Sequence, residues 1–218
     1  MDPKFWHERW EANQIGFHQN HINPHLVRYW PELNTSAGSR VFVPLCGKSA
    51  DMLWLLEQGH RVLGVEISSI AVEAFFAENN LQPARCESES FTRFVFDELE
   101  LLCGDFFDLM KDDLGPIDAL YDRASLVAFP EMMRQRYVTH LAKLLDPGTR
   151  GLLVTLDYPQ HEMEGPPFAV PEEEIYRLLR DAFAVDHTYG TSILAENPNF
   201  RAKGLSRLEE HVYFLKRH

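Results

Sequence analysis

"VFVPLCGKSADMLWLL", residues 41–56, is the stretch on which the fold turns. Its first part is a short apolar run rich in β-branched residues, the pattern of a buried strand. Its second part sets Met52, Leu53, Leu55 and Leu56 at helical spacing, with Ser49 placed as an N-cap and Gly59 as a stop. A tight turn with a single glycine, Gly47, joins the two. The same strand-then-helix order returns downstream. "HRVLGVEI" reads as a second strand, and "SSIAVEAFFAENN" as a helix stopped by Asn80 and Pro83. "FDELELLCGDFF" reads as a third strand ending near Cys103, and "PIDALYDRAS" as a fourth ending near Tyr121. A helix over "PEMMRQRYVTHLAKLL" stops at Asp146-Pro147-Gly148, and "RGLLVTLDY" is the fifth strand. "PEEEIYRLLRDA" has proline at its start and acids in its first turn, as a helix dipole prefers. "FAVDHTYG" and "EEHVYFLKR" close the chain as strands with no helix between them.

Alternating strands and helices imply right-handed crossovers. The expected fold is therefore α/β: a doubly wound, mostly parallel, seven-stranded sheet with helices on both faces and an antiparallel edge hairpin. Residues 1–218 are expected to form a single domain, with 1–39 as an N-terminal extension or lid and 40–218 as the core. The extension is aromatic, rich in histidine and broken by Pro24 and Pro31, so it reads as irregular. Ligands of such sheets bind beyond the carboxyl ends of the strands. That places candidate residues just after Leu45, Val65, Cys103 and Tyr121.

Bulk properties remove several classes of function. A net charge of -12 repels phosphate backbones, so no nucleic-acid partner is expected. No apolar run is long enough to span a bilayer, and "MDPKFWHERW" lacks the apolar centre of a signal peptide. A cytoplasmic monomer acting on a small molecule is the expectation. Cys46, Cys86 and Cys103 fit no metal spacing and read as reduced thiols, with a nucleophilic Cys46 as the weaker alternative.

Gly47-Lys48-Ser49 has the look of a phosphate-loop tail. The motif requires a glycine five positions before its GK pair, and Phe42 stands there. The dinucleotide fingerprint is missing too, which argues against a nicotinamide-dependent oxidoreductase. Glu66 is more informative. It lies 19 residues beyond Gly47, where doubly wound folds place a carboxylate against a ribose diol. Gly104-Asp105 adds an acid within reach of an adenine amino group. Each acid alone reads equally well as a helix cap or a loop turn. Together they suit an adenosine ligand without a polyphosphate, and S-adenosylmethionine fits that description. A non-catalytic binder of the same ligand is the second alternative.

"VFVPLCGKSADMLWL", "GHRVLGVEIS" and "YDRASLVA" closely resemble the thiopurine S-methyltransferases, as do "FWHERWEANQIGFHQ" and "GPPFAVP". The resemblance runs from Phe5 to the final strand and is of the bacterial kind in length. It implies a Rossmann-like class I methyltransferase fold and transfer of the sulfonium methyl of S-adenosylmethionine to a sulfur nucleophile. By motif it assigns Trp6, Trp10, Leu45, Gly47, Glu66, Asp105, Phe106 and Arg123 to the cofactor. It assigns Phe17, Arg123 and, on a looser match, Arg201 to the substrate, with Lys203 as a weaker candidate than Arg201. No metal is implied. Reduced selenium or tellurium species are the alternative natural substrates.

The residues suit that chemistry. In-line methyl transfer needs alignment and exclusion of water rather than an acid or base. Arg123 beside a bound thiol would favour the thiolate, although a structural ion pair is the plainer reading of the same residue. Asp122 would orient the guanidinium, or would be an ordinary loop acid. "FWHERW" sets aromatics at helical spacing, suited to covering a sulfonium or to simple core packing. His18, His21 and His25 also recur at helical spacing, but Pro24 interrupts them and no cysteine or carboxylate completes a metal site.

Overall fold

The computed structural model describes residues 2–16 and 18–218, and the chain forms two compact units, Met1–Tyr121 and Asp122–His218. In chain order the first unit holds helices α1 (Pro3–Glu11) and α2 (Pro24–Tyr29), strand β1 (Arg40–Val43), α3 (Asp51–Glu57), β2 (Arg61–Glu66) and α4 (Ser69–Glu78). Strands β3 (Ala84–Glu87), β4 (Thr92–Phe96) and β5 (Leu99–Cys103) follow, then α5 (Lys111–Leu114) and β6 (Ala119–Arg123), which runs across the border. The second unit holds α6 (Ser125–Ala128), α7 (Glu131–Leu144), β7 (Arg150–Asp157), α8 (Glu172–Leu179), β8 (Phe183–Ser192), α9 (Pro198–Ala202) and β9 (Glu209–Arg217).

Strand order is β3-β4-β5-β2-β1-β6 in the first unit. The four strands β5, β2, β1 and β6 are parallel neighbours, which brings the ends of β1, β2 and β5 to one edge. Order in the second unit is β7-β9-β8, all antiparallel. The closing hairpin is therefore present, with β9 inside and β8 at its flank.

Among the described residues nine strands form rather than seven. "FDEL" is a turn, not the opening of a strand: Phe96 pairs with Leu99, and Asp97 between them takes a φ of 49°. The added hairpin, β3 and β4, escapes a reading based on hydrophobic pattern because β3 is "ARCE", exposed at every position. Charged edge strands of this kind discourage pairing with other chains.

The prolines of the N-terminal segment start helices instead of breaking them. Pro24 opens α2, with Asn23 as the N-cap whose side chain accepts from the His25 and Leu26 N–H groups. Proline suits that position because its missing N–H would have had no partner in the first turn. Leu26, Tyr29, Trp30 and Leu33 are all buried, so this part of the segment is core. Ser49 is not the N-cap of α3. Ala50 holds that place with no side-chain bond, while Ser49 Oγ accepts from the Asp51 N–H at 3.3 Å.

Asp51 ties the segment down. It is fully buried, with Oδ1 accepting from the Asn23 N–H at 2.7 Å and Oδ2 from the Tyr121 hydroxyl at 2.9 Å. Asp51→Ala removes this buried acceptor from both donors, and the expected loss of stability is roughly 3 kcal/mol. A urea midpoint equal to that of the parent chain would show that these two bonds contribute nothing. No helix among the described residues is long and apolar enough to cross a membrane.

Candidate active site

The loop after β1 is shaped by two left-handed residues, Leu45 with φ 49° and Gly47 with φ 53°. A leucine in that conformation is strained, and such strain persists only where its surroundings hold it. Here the Cys46 N–H donates to the Val65 carbonyl at 3.0 Å, stapling the loop to β2. The Cys46 side chain then lies on Gly64, where a Cβ would come within 2.7 Å of Sγ and 2.6 Å of Leu101 Cδ2. This is why a buried strand carries a glycine.

Glu66 ends β2 beneath that loop. Its Oε2 accepts from the Gly47 N–H at 3.0 Å and its Oε1 from the Ser68 N–H at 2.9 Å. Only 6% of the residue is exposed, and burial pushes its carboxyl up to about 7 against the pull of the N–H groups of Ser68, Gly47 and Ile67. A carboxylate has about four lone-pair sites, so these backbone bonds leave capacity for a further donor. The Gly104 N–H reaches the Glu66 carbonyl at 2.9 Å, which sets the loop after β5 beside the end of β2. Gly104 has no room for a side chain, since a Cβ would fall 2.5 Å from the Phe91 ring at the tip of the β3–β4 hairpin.

The Trp10 indole covers the other side of the β1 loop. A Cβ added to Gly47 would sit 3.5 Å from Trp10 Cζ2, and Trp10 is 6% exposed. Lys48 faces away from any phosphate position: its ammonium is 2.6 Å from Glu78 Oε1 at the end of α4. The first unit thus brings together a buried carboxylate, a glycine turn and an aromatic cover, with the lysine of the loop paired to Glu78.

The thiopurine S-methyltransferase (TPMT) family model matches residues 1–218. A thiopurine S-methyltransferase of Nitrosospira multiformis is 53% identical over 215 residues, covering 99% of this chain and 98% of that protein. The chain belongs to the thiopurine S-methyltransferase family. Among solved structures, a SAM-dependent methyltransferase from Anabaena variabilis superposes with a TM-score of 0.69 at 14% identity, over 99% of this chain and 95% of that one. Magnesium protoporphyrin IX methyltransferase from Synechocystis, solved with bound SAH, gives 0.68 at 14% identity, with 100% of each chain covered. At such identities the likeness shows the fold alone: the mixed, mostly parallel sheet with helices on both faces of a class I methyltransferase.

Seen as a member of the thiopurine S-methyltransferase family, the chain places its candidate residues unevenly. Trp10, Leu45, Gly47 and Glu66 come together, with Asp105 on the adjoining loop. Asp105 also caps its own turn, accepting from the Phe107 N–H at 2.9 Å. The Phe106 side chain is 4% exposed and stacks on Phe42. Trp6 is half-buried on α1 and meets Phe5 edge to face. Phe17 lies outside the described residues.

In the second unit, Arg123 ends β6 and is half-buried. The Asp122 carboxylate receives the Tyr137 hydroxyl at 2.6 Å. Arg201 is exposed on α9, and the Lys203 ammonium lies 5.5 Å over the Phe200 ring. The basic residue that sequence reading missed in this region is Arg207, paired with Asp157 at 2.9 Å and Glu209 at 2.6 Å. Asp157, Glu209 and His211 are the one cluster among the described residues with spacing for a metal ion. The Arg207 guanidinium bridges its two carboxylates. His18, His21 and His25 form no such cluster, and His25 is buried against Tyr29. A nucleophilic Cys46 is also disfavoured, because burial and the neighbouring Glu66 charge both push its thiol up, keeping it protonated.

Proposed function

We propose that this chain methylates the sulfur of aromatic or heterocyclic thiols such as thiopurines, with S-adenosylmethionine as the donor, as a single-domain cytoplasmic monomer. The carbon–sulfonium bond of the donor breaks as a new carbon–sulfur bond forms on the thiolate. The products are the methyl thioether and S-adenosylhomocysteine, and the thiol proton passes to solvent.

The observation that carries this reading is the Glu66 carboxylate bonded to the Gly47 N–H, with Lys48 turned away to Glu78. Glu66 would take the ribose diol, and the Leu45–Gly47 loop would take the amino-acid tail. Trp6 and Trp10 would cover the sulfonium, and Asp105 would meet the adenine. Arg123 would stabilise the thiolate, with Phe17 and Arg201 as further substrate contacts.

Calorimetric titration with S-adenosylhomocysteine, NADH and ATP tests the cofactor assignment. Binding of the first alone is expected. Binding of NADH or ATP instead would overturn the reading of the β1 loop. A panel of aromatic thiols with labelled methyl donor then tests the substrate class.

A further inference from the structure

Arg123 leads from β6 into a tight turn. Ala124, which follows it, takes a φ of 75°, a left-handed conformation that alanine rarely adopts. Helix α6 begins one residue later, and Ala124 as its N-cap has no side chain to offer the first N–H groups of the helix. The Asp122 carboxylate lies close enough to Ser125 for the serine N–H and hydroxyl to pull its carboxyl down. Arg123 and Ala124 therefore lie between two residues whose polar groups act on one another.

That carboxylate has its own anchor. The Tyr137 hydroxyl donates to Asp122 Oδ2 at 2.6 Å, the short length of a charge-assisted bond. Asp122, Ser125 and Tyr137 are all essentially inaccessible to solvent. Tyr137 projects from the middle of α7, and α7 is fixed in turn. Arg134 Nε donates to the Phe129 carbonyl at 2.9 Å, and its Nη1 pairs with Glu174 Oε2 at 2.5 Å. The Phe168 N–H holds α6 from another side, through the Val127 carbonyl at 2.7 Å.

We propose that Tyr137 is a positioning residue for methyl transfer: through the Asp122 carboxylate it closes the 122–125 turn and so sets the direction in which Arg123 leaves the sheet. The inference rests on the reading of Arg123 as the residue that stabilises the thiolate. The state of Asp122 supports it. Burial raises this carboxyl to about 6, and the bonds from Tyr137 and Ser125 are what hold it back. Without the tyrosine hydroxyl the carboxyl rises further, and the turn loses the donor that fixes it.

The test is Tyr137→Phe, beside Asp122→Asn and Arg123→Ala, each checked for folding by thermal melting. Tyr137→Phe is expected to lower kcat/KM for an aromatic thiol about tenfold at pH 7 and to move the acid limb of its pH profile to higher pH. Binding of S-adenosylhomocysteine should stay within twofold. Asp122→Asn keeps an acceptor oxygen for the Tyr137 hydroxyl but cannot titrate, so it should retain most of the parent rate at pH 7, and adding Tyr137→Phe to it should not move the acid limb. In the Arg123→Ala background, Tyr137→Phe should do nothing further to the acid limb. If Tyr137→Phe lowers the melting temperature but leaves the acid limb in place, Tyr137 is structural and the inference is overturned. If Arg123→Ala itself leaves turnover unchanged, the reading of Arg123 fails first and this inference falls with it.

Discussion

Arg123→Ala is expected to reduce methylation of an aromatic thiol by roughly 100-fold at pH 6 and by only a few-fold at pH 9, as follows from a cation that shifts a neighbouring acid by one to three pH units. The sign follows from which species reacts. The thiolate is the nucleophile, and an adjacent guanidinium favours the charged form of the bound thiol. Below the pKa of the unassisted thiol, losing the arginine removes most of the reactive fraction. Above that pKa the thiolate forms without help, and only alignment is lost. Arg123→Lys should recover part of the low-pH rate, because a point charge remains while the planar fork does not. The measurement is kcat/KM for one thiol across pH 5.5–9.5 with saturating methyl donor. A uniform loss at every pH would assign Arg123 to alignment alone, and no loss would remove it from the site.

The legible parts of this protein were those set by local rules. Strands β1 and β2 are continuous apolar runs, and nothing but a buried parallel sheet accounts for them. The interval from Gly47 to Glu66 places a carboxylate under a glycine turn, and Glu66 does bond to Gly47. What sequence reading missed depends on partners far away in the chain. β3 has no hydrophobic pattern of its own and forms because β4 offers it a free edge. Pro24 looked like a breaker because its helix has only six residues and owes its stability to burial of Leu26 and Tyr29. Asp51 reads as a first-turn acid on a helix, yet its two partners stand 28 and 70 residues away. Asp122 looked like a companion of Arg123, but successive side chains of a strand point to opposite faces. The neighbour in sequence thus faces Tyr137 instead.

Binding of S-adenosylhomocysteine is expected to weaken as pH falls below about 7, by close to tenfold per unit, as linkage to a single proton requires. Burial lifts the Glu66 carboxyl to about 7, well above its ordinary 4.5. Near neutral pH the group is therefore partly protonated in the folded chain and fully ionised in the unfolded one. Its burial accordingly opposes stability as pH rises from the ordinary value to about 7, and the stabilisation present below 4.5 is lost over that window. A ribose diol reverses the balance. Its two hydroxyls are donors, they bond better to the carboxylate than to the acid, and they bring the pKa down again. Binding at pH 6 must then release close to one proton. Calorimetry in two buffers of different ionisation enthalpy reads that release directly, as a difference in observed heat. Glu66→Gln should abolish the release and weaken binding roughly 100-fold, the loss expected when charge-assisted hydrogen bonds become neutral ones. If the variant bound as tightly as the parent, or if proton release persisted in it, the ribose would have to lie elsewhere. The buried carboxylate would then be no more than the clasp that joins the β1 loop to the start of α4.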